Sequence, residues 1–240
     1  MCATCGCGHT HAHSHDAHSH DAQSPDSHSP EEITLEQKVL AKNDELAATN
    51  RSYLESQEIT TINVMSSPGS GKTTLLVRTI RELTRTMAVI EGDQETMLDA
   101  ERIRSTGCPV VQINTGAGCH LDAAMLRDAI DRLQPERRAL LFVENVGNLV
   151  CPALFDLGER GKVVVVSVTE GTDKPLKYPY MFAAADLVVV NKMDLLPYVD
   201  FDLSACRAHV ASVNPKAEVL ALSATRGDNL GSWYDWLAAA

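Results

Sequence analysis

The chain has 240 residues, 44% of them hydrophobic, with 21 Lys and Arg against 32 Asp and Glu, a formal charge of −11. That length allows one sizeable α/β domain with appendages, and the acidic balance argues against nucleic acid or an anionic membrane surface as the main partner. No apolar run approaches the ~18–20 residues of a spanning helix and the first residues are polar, unlike a signal peptide, so a cytoplasmic protein is expected. In that reducing compartment the seven cysteines read as metal ligands or buried thiols, not as a disulfide framework.

Residues 1–30 hold Cys2, Cys5 and Cys7, then His9, His11, His13, His15, His18, His20 and His28, among Ser, Asp, Ala and Pro. Almost nothing here can be buried, which predicts a disordered tail. Cys2-Ala-Thr-Cys5-Gly-Cys7 puts three thiolates within one tight turn, with the terminal amine in reach. That donor set suits a thiophilic divalent ion, Ni²⁺ or Zn²⁺. The histidines behind it either form a weaker, multi-occupancy sponge or merely solvate the tail. Over 31–56, Ile33, Leu35, Val39, Leu40, Leu46, Ala47, Tyr53 and Leu54 recur at broadly helical spacing with charges between. This predicts an amphipathic helix lying on the main domain or touching a partner, and leaves 57–240 as the main domain.

That domain is organised around Ile62-Asn63-Val64-Met65, an apolar run that ends in Ser66-Ser67-Pro68-Gly69-Ser70-Gly71-Lys72-Thr73-Thr74. Strand, glycine-rich loop and helix in this order make a phosphate-binding site. Triphosphate oxygens need several backbone N–H groups in one concave turn, where a Cβ would hold the backbone away. Lys72 adds a point charge for the β- and γ-phosphates, Thr73 a hydroxyl for Mg²⁺, and the helix N-terminus a positive dipole. One position departs from the usual pattern: the first glycine of the loop is Ser66.

Beyond the loop, strands are predicted over 87–91, 109–114, 139–144, 162–167, 187–190 and 219–222. Helices are predicted from 93 to about 105, over 121–133 and over 229–237, with Trp233 and Trp236 on the packing face of the last. Val-rich runs at 162–167 and 187–190 read as strands buried on both faces. The alternation predicts an α/β fold: a mostly parallel sheet with helices on both faces and the nucleotide at the carboxyl ends of the strands.

Asn191-Lys192-Met193-Asp194 follows one of those strands directly. A carboxylate at Asp194 can accept from both N1–H and the exocyclic amine of guanine, which adenine does not offer. Leaving it unpaired is costly, so selectivity of about 10⁴ for guanine is attainable. Lys192 would lie along the base and Asn191 would tie the loop together. Ser223-Ala224 stands where a backbone N–H meets the guanine carbonyl. Asp93 and Glu144, each at a strand end, are candidates for Mg²⁺ or the attacking water, with Glu144-Asn145-Val146-Gly147 placed as a switch. No glutamine or arginine for a fast hydrolytic step presents itself, so turnover is expected to be slow.

Gly118-Cys119-His120 and Cys151-Pro152 supply a second candidate metal site. Two thiolates and an imidazole are three ligands of a tetrahedral set, which water or a second subunit would complete. Cys119, at the predicted start of a helix, is a plausible thiolate. Cys108, Cys206 and His209 read as structural.

These stretches together, Cys-x-x-Cys-Gly-Cys, the histidine tract, SSPGSGKTT, EGDQET, TGAGCHLD, ENVGNLVCP, SVTEGTDKPLKYP and NKMDLL, resemble the hydrogenase nickel-incorporation GTPases, the HypB family, over essentially the whole chain. The resemblance implies a P-loop GTPase of the SIMIBI class that binds GTP and GDP with Mg²⁺ and delivers Ni²⁺ to the large subunit of a [NiFe]-hydrogenase. It implies a tight nickel site at Cys2, Cys5 and Cys7, and a weaker Ni/Zn site at Cys119, His120 and Cys151, with a homodimer favoured by bound GTP or metal. A small zinc-bearing accessory protein and a nickel-binding prolyl isomerase are the implied helpers, and Lys174 is implied to lie near the nucleotide. Two alternatives are a urease-type accessory GTPase, whose Cys-Pro-His motif contrasts with Cys151-Pro152-Ala153 here, and a nickel store.

Overall fold

The computed structural model describes residues 30–93, 97–116 and 118–240, with side chains from residue 37 onward. The expected tail, with Cys2, Cys5 and Cys7, lies outside the described residues. Among those described, seven strands form one parallel sheet in the order β3-β2-β4-β1-β5-β6-β7. They are β1 (Thr60–Ser66), β2 (Met87–Asp93), β3 (Val110–Asn114), β4 (Leu140–Gly147), β5 (Gly161–Ser167), β6 (Leu187–Asn191) and β7 (Glu218–Ala221). The helices are α1 (Pro30–Ser56), α2 (Lys72–Glu82), α3 (Leu98–Arg104), α4 (Ala123–Leu133), α5 (Lys174–Lys177), α6 (Pro179–Ala183), α7 (Leu203–Val213) and α8 (Leu230–Ala239).

Parallel strands need crossovers, and here these put helices on both faces. Alternate residues of β5 show the division. Val163 and Val165 join Leu75 and Leu76 of α2, Ile103 of α3 and Trp233 of α8. Val164 and Val166 join Met181 and Phe182 of α6 and Val210 of α7. A third cluster sets Leu141 and Val143 of β4 against Leu126 and Ile130 of α4 and Leu54 of α1. Trp233 is fully buried, stacks on Trp236 at 5.9 Å and donates its indole N–H to Thr79 Oγ1 at 2.9 Å, as a packing residue should.

The structure corrects two local expectations. The strand expected over 139–144 runs on to Gly147, so the stretch placed as a switch is itself strand. Val64 pairs with Glu144 and Ser66 with Gly147, leaving Asn145 and Val146 opposite Met65 alone, a bulge that lets the strand continue past an irregular pair. In α1 the buried stripe is Asn43, Ala47, Asn50 and Leu54, whereas Val39 and Leu46 are exposed. The helix docks by polar hooks that a hydrophobic pattern does not register. Asn43 donates to the Asp156 carbonyl at 2.8 Å, Asn50 to the Ala123 carbonyl at 2.8 Å, and the Arg51 guanidinium pairs with Asp156 at 2.7 Å. None of the described helices is long and apolar enough to cross a membrane.

Candidate functional site: a phosphate loop and a sulfur–imidazole cluster

The loop between β1 and α2 has the backbone its sequence demands. Gly69 and Gly71 sit at φ 74° and 102°, conformations glycine enters without strain. A Cβ on Gly71 would also lie 2.5 Å from Asn191 Nδ2. That closeness has a purpose: Asn191 donates to the Ser70 carbonyl at 2.9 Å and Lys192 Nζ to the Gly69 carbonyl at 2.7 Å. The motif after β6 is thereby bolted onto the loop after β1. Ser223 Oγ donates to Asp194, and the Ala224 N–H, expected to face the base, donates to Asn191 Oδ1 at 3.0 Å.

Lys72 Nζ donates to Ser66 Oγ at 2.8 Å, so the serine that departs from the usual loop pattern holds the lysine side chain. Thr73 Oγ1 donates to Glu144 Oε1 at 2.6 Å. The Thr74 hydroxyl instead accepts from Arg102 of α3 at 3.0 Å, which turns it toward the helix pair. Ser67 donates to Glu170, and Glu170 lies 3.9 Å from Lys174 Nζ, so Lys174 is linked to the loop through one carboxylate.

Sequence reasoning missed Glu91. It pairs in register with Glu144 across β2 and β4 and is 2% exposed. Burial first, then the neighbouring Glu144, Asp93 and Asp99 charges, pushes its pKa up to about 8. Burial raises the Glu144 pKa too, against Lys72 and Thr73, which lower it. Oε2 of each glutamate is buried with no hydrogen-bond partner. The available signal was an acid inside an apolar run, Met87-Ala88-Val89-Ile90-Glu91. The orphaned oxygen of Glu144, on a carboxylate that accepts from the Thr73 hydroxyl, suits a hard divalent cation such as Mg²⁺. Asp93, at the end of the same strand as Glu91, is half-buried.

The second site joins the segment before α4 to a 3₁₀ turn, Cys151–Leu154. Ligand atoms of Cys119, His120 and Cys151 all lie within 4.8 Å of one another. The Cys119 sulfur is 2.7 Å from that of Cys151 and 3.7 Å from His120 Nδ1. Both thiols are buried. The imidazole stacks on Phe155 at 3.8 Å between ring centres, and burial lowers its pKa, with Asp122 opposing; a neutral imidazole is the ligating form. Asn148 Nδ2 donates to the Cys151 sulfur at 3.6 Å. Contrary to expectation, Cys119 does not start a helix. Asp122 is the N-cap of α4, accepting from the Met125 amide, which leaves the thiol three residues outside the helix. Cys108 and Cys206 are buried and pushed up to about 11 by burial, as structural thiols are, and His209 faces the Thr172 carbonyl at 3.1 Å.

The two sites meet at Gly147, where a Cβ would lie 3.1 Å from Pro68 Cα of the phosphate loop. Strand β4 thus presents Glu144 to Thr73, Gly147 to the loop, and Cys151 to the cluster four residues later.

A parallel sheet whose first strand feeds a glycine-rich phosphate loop, joined by an Asn-Lys-x-Asp motif, defines a P-loop nucleotide-binding protein. The model of the CobW/HypB/UreG nucleotide-binding domain matches residues 60–221. Hydrogenase maturation factor HypB of Azotobacter vinelandii is 58% identical over 207 residues, covering 85% of this chain and 68% of that one. The hydrogenase/urease maturation factor HypB of Helicobacter pylori (strain J99) is 38% identical, covering 86% and 87%. The crystal structure of HypB from Helicobacter pylori in complex with nickel superposes with a TM-score of 0.77 at 38% identity, over 82% of this chain and 92% of that one. The chain belongs to the CobW/HypB/UreG family and, within it, to the HypB hydrogenase maturation factors.

Proposed function

We propose that this protein is a GTP-hydrolysing nickel metallochaperone of the cytoplasm, assisting Ni²⁺ insertion into the large subunit of a [NiFe]-hydrogenase. In this reading the GTP state sets the affinity of the Cys119/His120/Cys151 site for its cargo. The observation that carries it is the juxtaposition along β4: Glu144 accepts from Thr73 of the phosphate loop, and the same strand leads to Cys151 in a three-ligand cluster. Membership of a hydrogenase maturation family, and a nickel-bound structure in a 38% identical relative, support the choice of metal. Two thiolates and an imidazole accept Zn²⁺ as readily, with planar coordination favouring nickel and tetrahedral zinc.

The nucleotide contacts are assigned to Pro68, Gly69, Ser70, Gly71, Lys72, Thr73 and Thr74, with Asn191, Lys192, Asp194, Ser223 and Ala224. Lys72 would exchange Ser66 for the β- and γ-phosphates. Thr73, Glu144 and Asp93 would hold Mg²⁺, which supplies charge neutralisation on the phosphates when bound. Asp194 would read guanine, and replacing it by Asn should lower GTP affinity while sparing the loop's fold. Slow turnover fits the described residues, among which no glutamine is placed to orient the attacking water. A homodimer in the GTP state would complete the three-ligand metal set, and a small zinc-bearing accessory protein, the hydrogenase large subunit and a nickel-binding prolyl isomerase are the partners this role calls for.

Linkage requires that GTP change nickel affinity by the same factor as nickel changes GTP affinity. Titrating Ni²⁺ against the protein loaded with GDP, then with a non-hydrolysable GTP analogue, tests this. Different affinities are expected; equal ones would remove the coupling.

A further inference from the structure

Glu144 and Asn145 are consecutive on a strand, so their side chains leave opposite faces of the sheet. Glu144 reaches Thr73. Asn145 reaches the other face, where its Oδ1 accepts from the Leu121 amide at 3.3 Å and the Val146 amide at 2.9 Å. Leu121 directly follows His120. Asn145 Nδ2 donates to Asn63 Oδ1 at 3.3 Å, Asn63 Nδ2 to Glu159 Oε1 at 3.0 Å, and the Leu157 amide to Glu159 Oε2 at 2.8 Å.

All three polar side chains are buried. Such a network is costly unless its members are satisfied, and this one ends on two amides that bracket the sulfur–imidazole cluster. One lies behind Cys119 and His120; the other lies two residues beyond Phe155, whose ring covers His120. The bulge opposite Met65 falls on Asn145 and Val146, and bulges re-aim side chains beside functional sites.

We propose that Asn145 is the positioning residue that couples the two sites. A displacement of β4 at Glu144 is passed through the Asn145 side chain to the backbone behind His120, and so to the spacing of Cys119, His120 and Cys151. The assignment rests on the nickel–GTP coupling proposed above and names where that coupling runs. The hydrogen bonds of the Asn145 side chain go to Leu121, Val146 and Asn63, none of them a cluster ligand or a residue of the phosphate loop, so its substitution removes the connection and leaves both binding sets in place.

The test is the ratio of Ni²⁺ affinities with GDP and with a non-hydrolysable GTP analogue, in wild type, Asn145→Ala and Asn145→Asp, with thermal unfolding confirming that each folds. Coupling between sites typically amounts to about 5–150-fold. Asn145→Ala is expected to bring the ratio to within about twofold of one, with metal-free nucleotide affinity held within about twofold of wild type. Asn145→Asp loses the donor to Asn63 but keeps an oxygen for the Leu121 and Val146 amides; because the proposed route runs through Leu121, it is expected to preserve the ratio, a rescue that general loosening of the core would not give. If the alanine variant fails to fold, Asn145→Ser, which keeps a hydroxyl for Val146 but loses the reach to Leu121, gives the same reading. A wild-type ratio in a folded Ala or Ser variant overturns the assignment, as does loss of the ratio in the Asp variant. A ratio of one in the wild-type protein sinks the coupling itself, and the assignment with it; the wild-type measurement alone separates that failure from a failure of Asn145.

Discussion

The phosphate loop is made from consecutive residues, Ser66 to Thr73, whereas the sulfur–imidazole cluster joins two segments whose cysteines are 32 positions apart. The first is shaped by its own glycines and stitched by Asn191 and Lys192 to the next strand but one. The second has no local motif to shape it: its geometry comes from Phe155, Asn148 and the amides that Asn145 and Glu159 hold. A site held from outside can be adjusted by whatever moves its supports, which is the property a nucleotide-controlled carrier needs.

Breaking the loop should give the largest effect. Lys72→Ala removes a positioned cation from the transferring phosphates, and GTP hydrolysis is expected to fall by about 10²–10³. Nickel affinity without nucleotide should be unchanged, because Lys72 makes its side-chain bond to Ser66 and not to the cluster. Steady-state phosphate release and a metal titration on the same sample check both halves. Breaking the cluster is the mirror experiment. Cys151→Ala reduces three donors to two and should cost at least about 100-fold in Ni²⁺ affinity, beyond the effect of losing a supporting partner. GTP affinity measured without metal should stay at the wild-type value; a large fall would mean that Cys151 serves the nucleotide site structurally.

The contrast between the sites also governs what could be read from the chain alone. The glycines of the phosphate loop were legible because their chemistry is local, and Asn191 was expected to tie the loop together, as its bond to the Ser70 carbonyl does. The sheet was legible for a similar reason, since valine runs such as Val163–Val166 have one reasonable destination. Cys119, His120 and Cys151 could be named as ligand types, but not shown to converge. Glu91, Asn63, Asn145 and Phe155 were not legible at all as partners. Their meaning lies in strand register and in which face of the sheet each occupies, and a one-residue bulge at Asn145 is enough to change both. The helix α1 was found, but its buried stripe was misjudged because asparagines hooking backbone carbonyls look like solvated residues.

Glu91 offers a further cut at the nucleotide side through pH. In protein kept clear of divalent cations its folded pKa is about 8, above the ordinary carboxylate value of the unfolded chain. Between those two values the folded state holds a proton that the unfolded state has lost. Stability therefore falls as pH rises through the window, and the contribution is gone above the folded pKa. Glu91→Gln should flatten the decline in Tm between pH 6 and 9 and raise Tm at the alkaline end by a few degrees, at roughly 2–4 °C per kcal/mol for a domain of this size. Parallel profiles for the two proteins would show that Glu91 is not the group responsible.

The smallest effect, and the finest probe of outside support, is at Phe155. Its ring lies 15° from parallel with the His120 imidazole, and the next residue, Asp156, is gripped by Arg51 and Asn43 of α1. The helix that leads from the cysteine-rich segment therefore braces the loop that orients the histidine. An aromatic pair contributes about 0.5–1.5 kcal/mol beyond its buried area, or roughly two- to tenfold in a binding constant. Phe155→Leu keeps an apolar side chain over the ring while removing the stack, so Ni²⁺ affinity should fall by about that factor with nucleotide affinity untouched. Arg51→Ala loosens the same loop from the far side and should act in the same direction but more weakly, since the ion pair is partly solvated. If both variants bind nickel like wild type, the cluster is held by its own two segments and the distinction between a self-shaped site and a supported one fails.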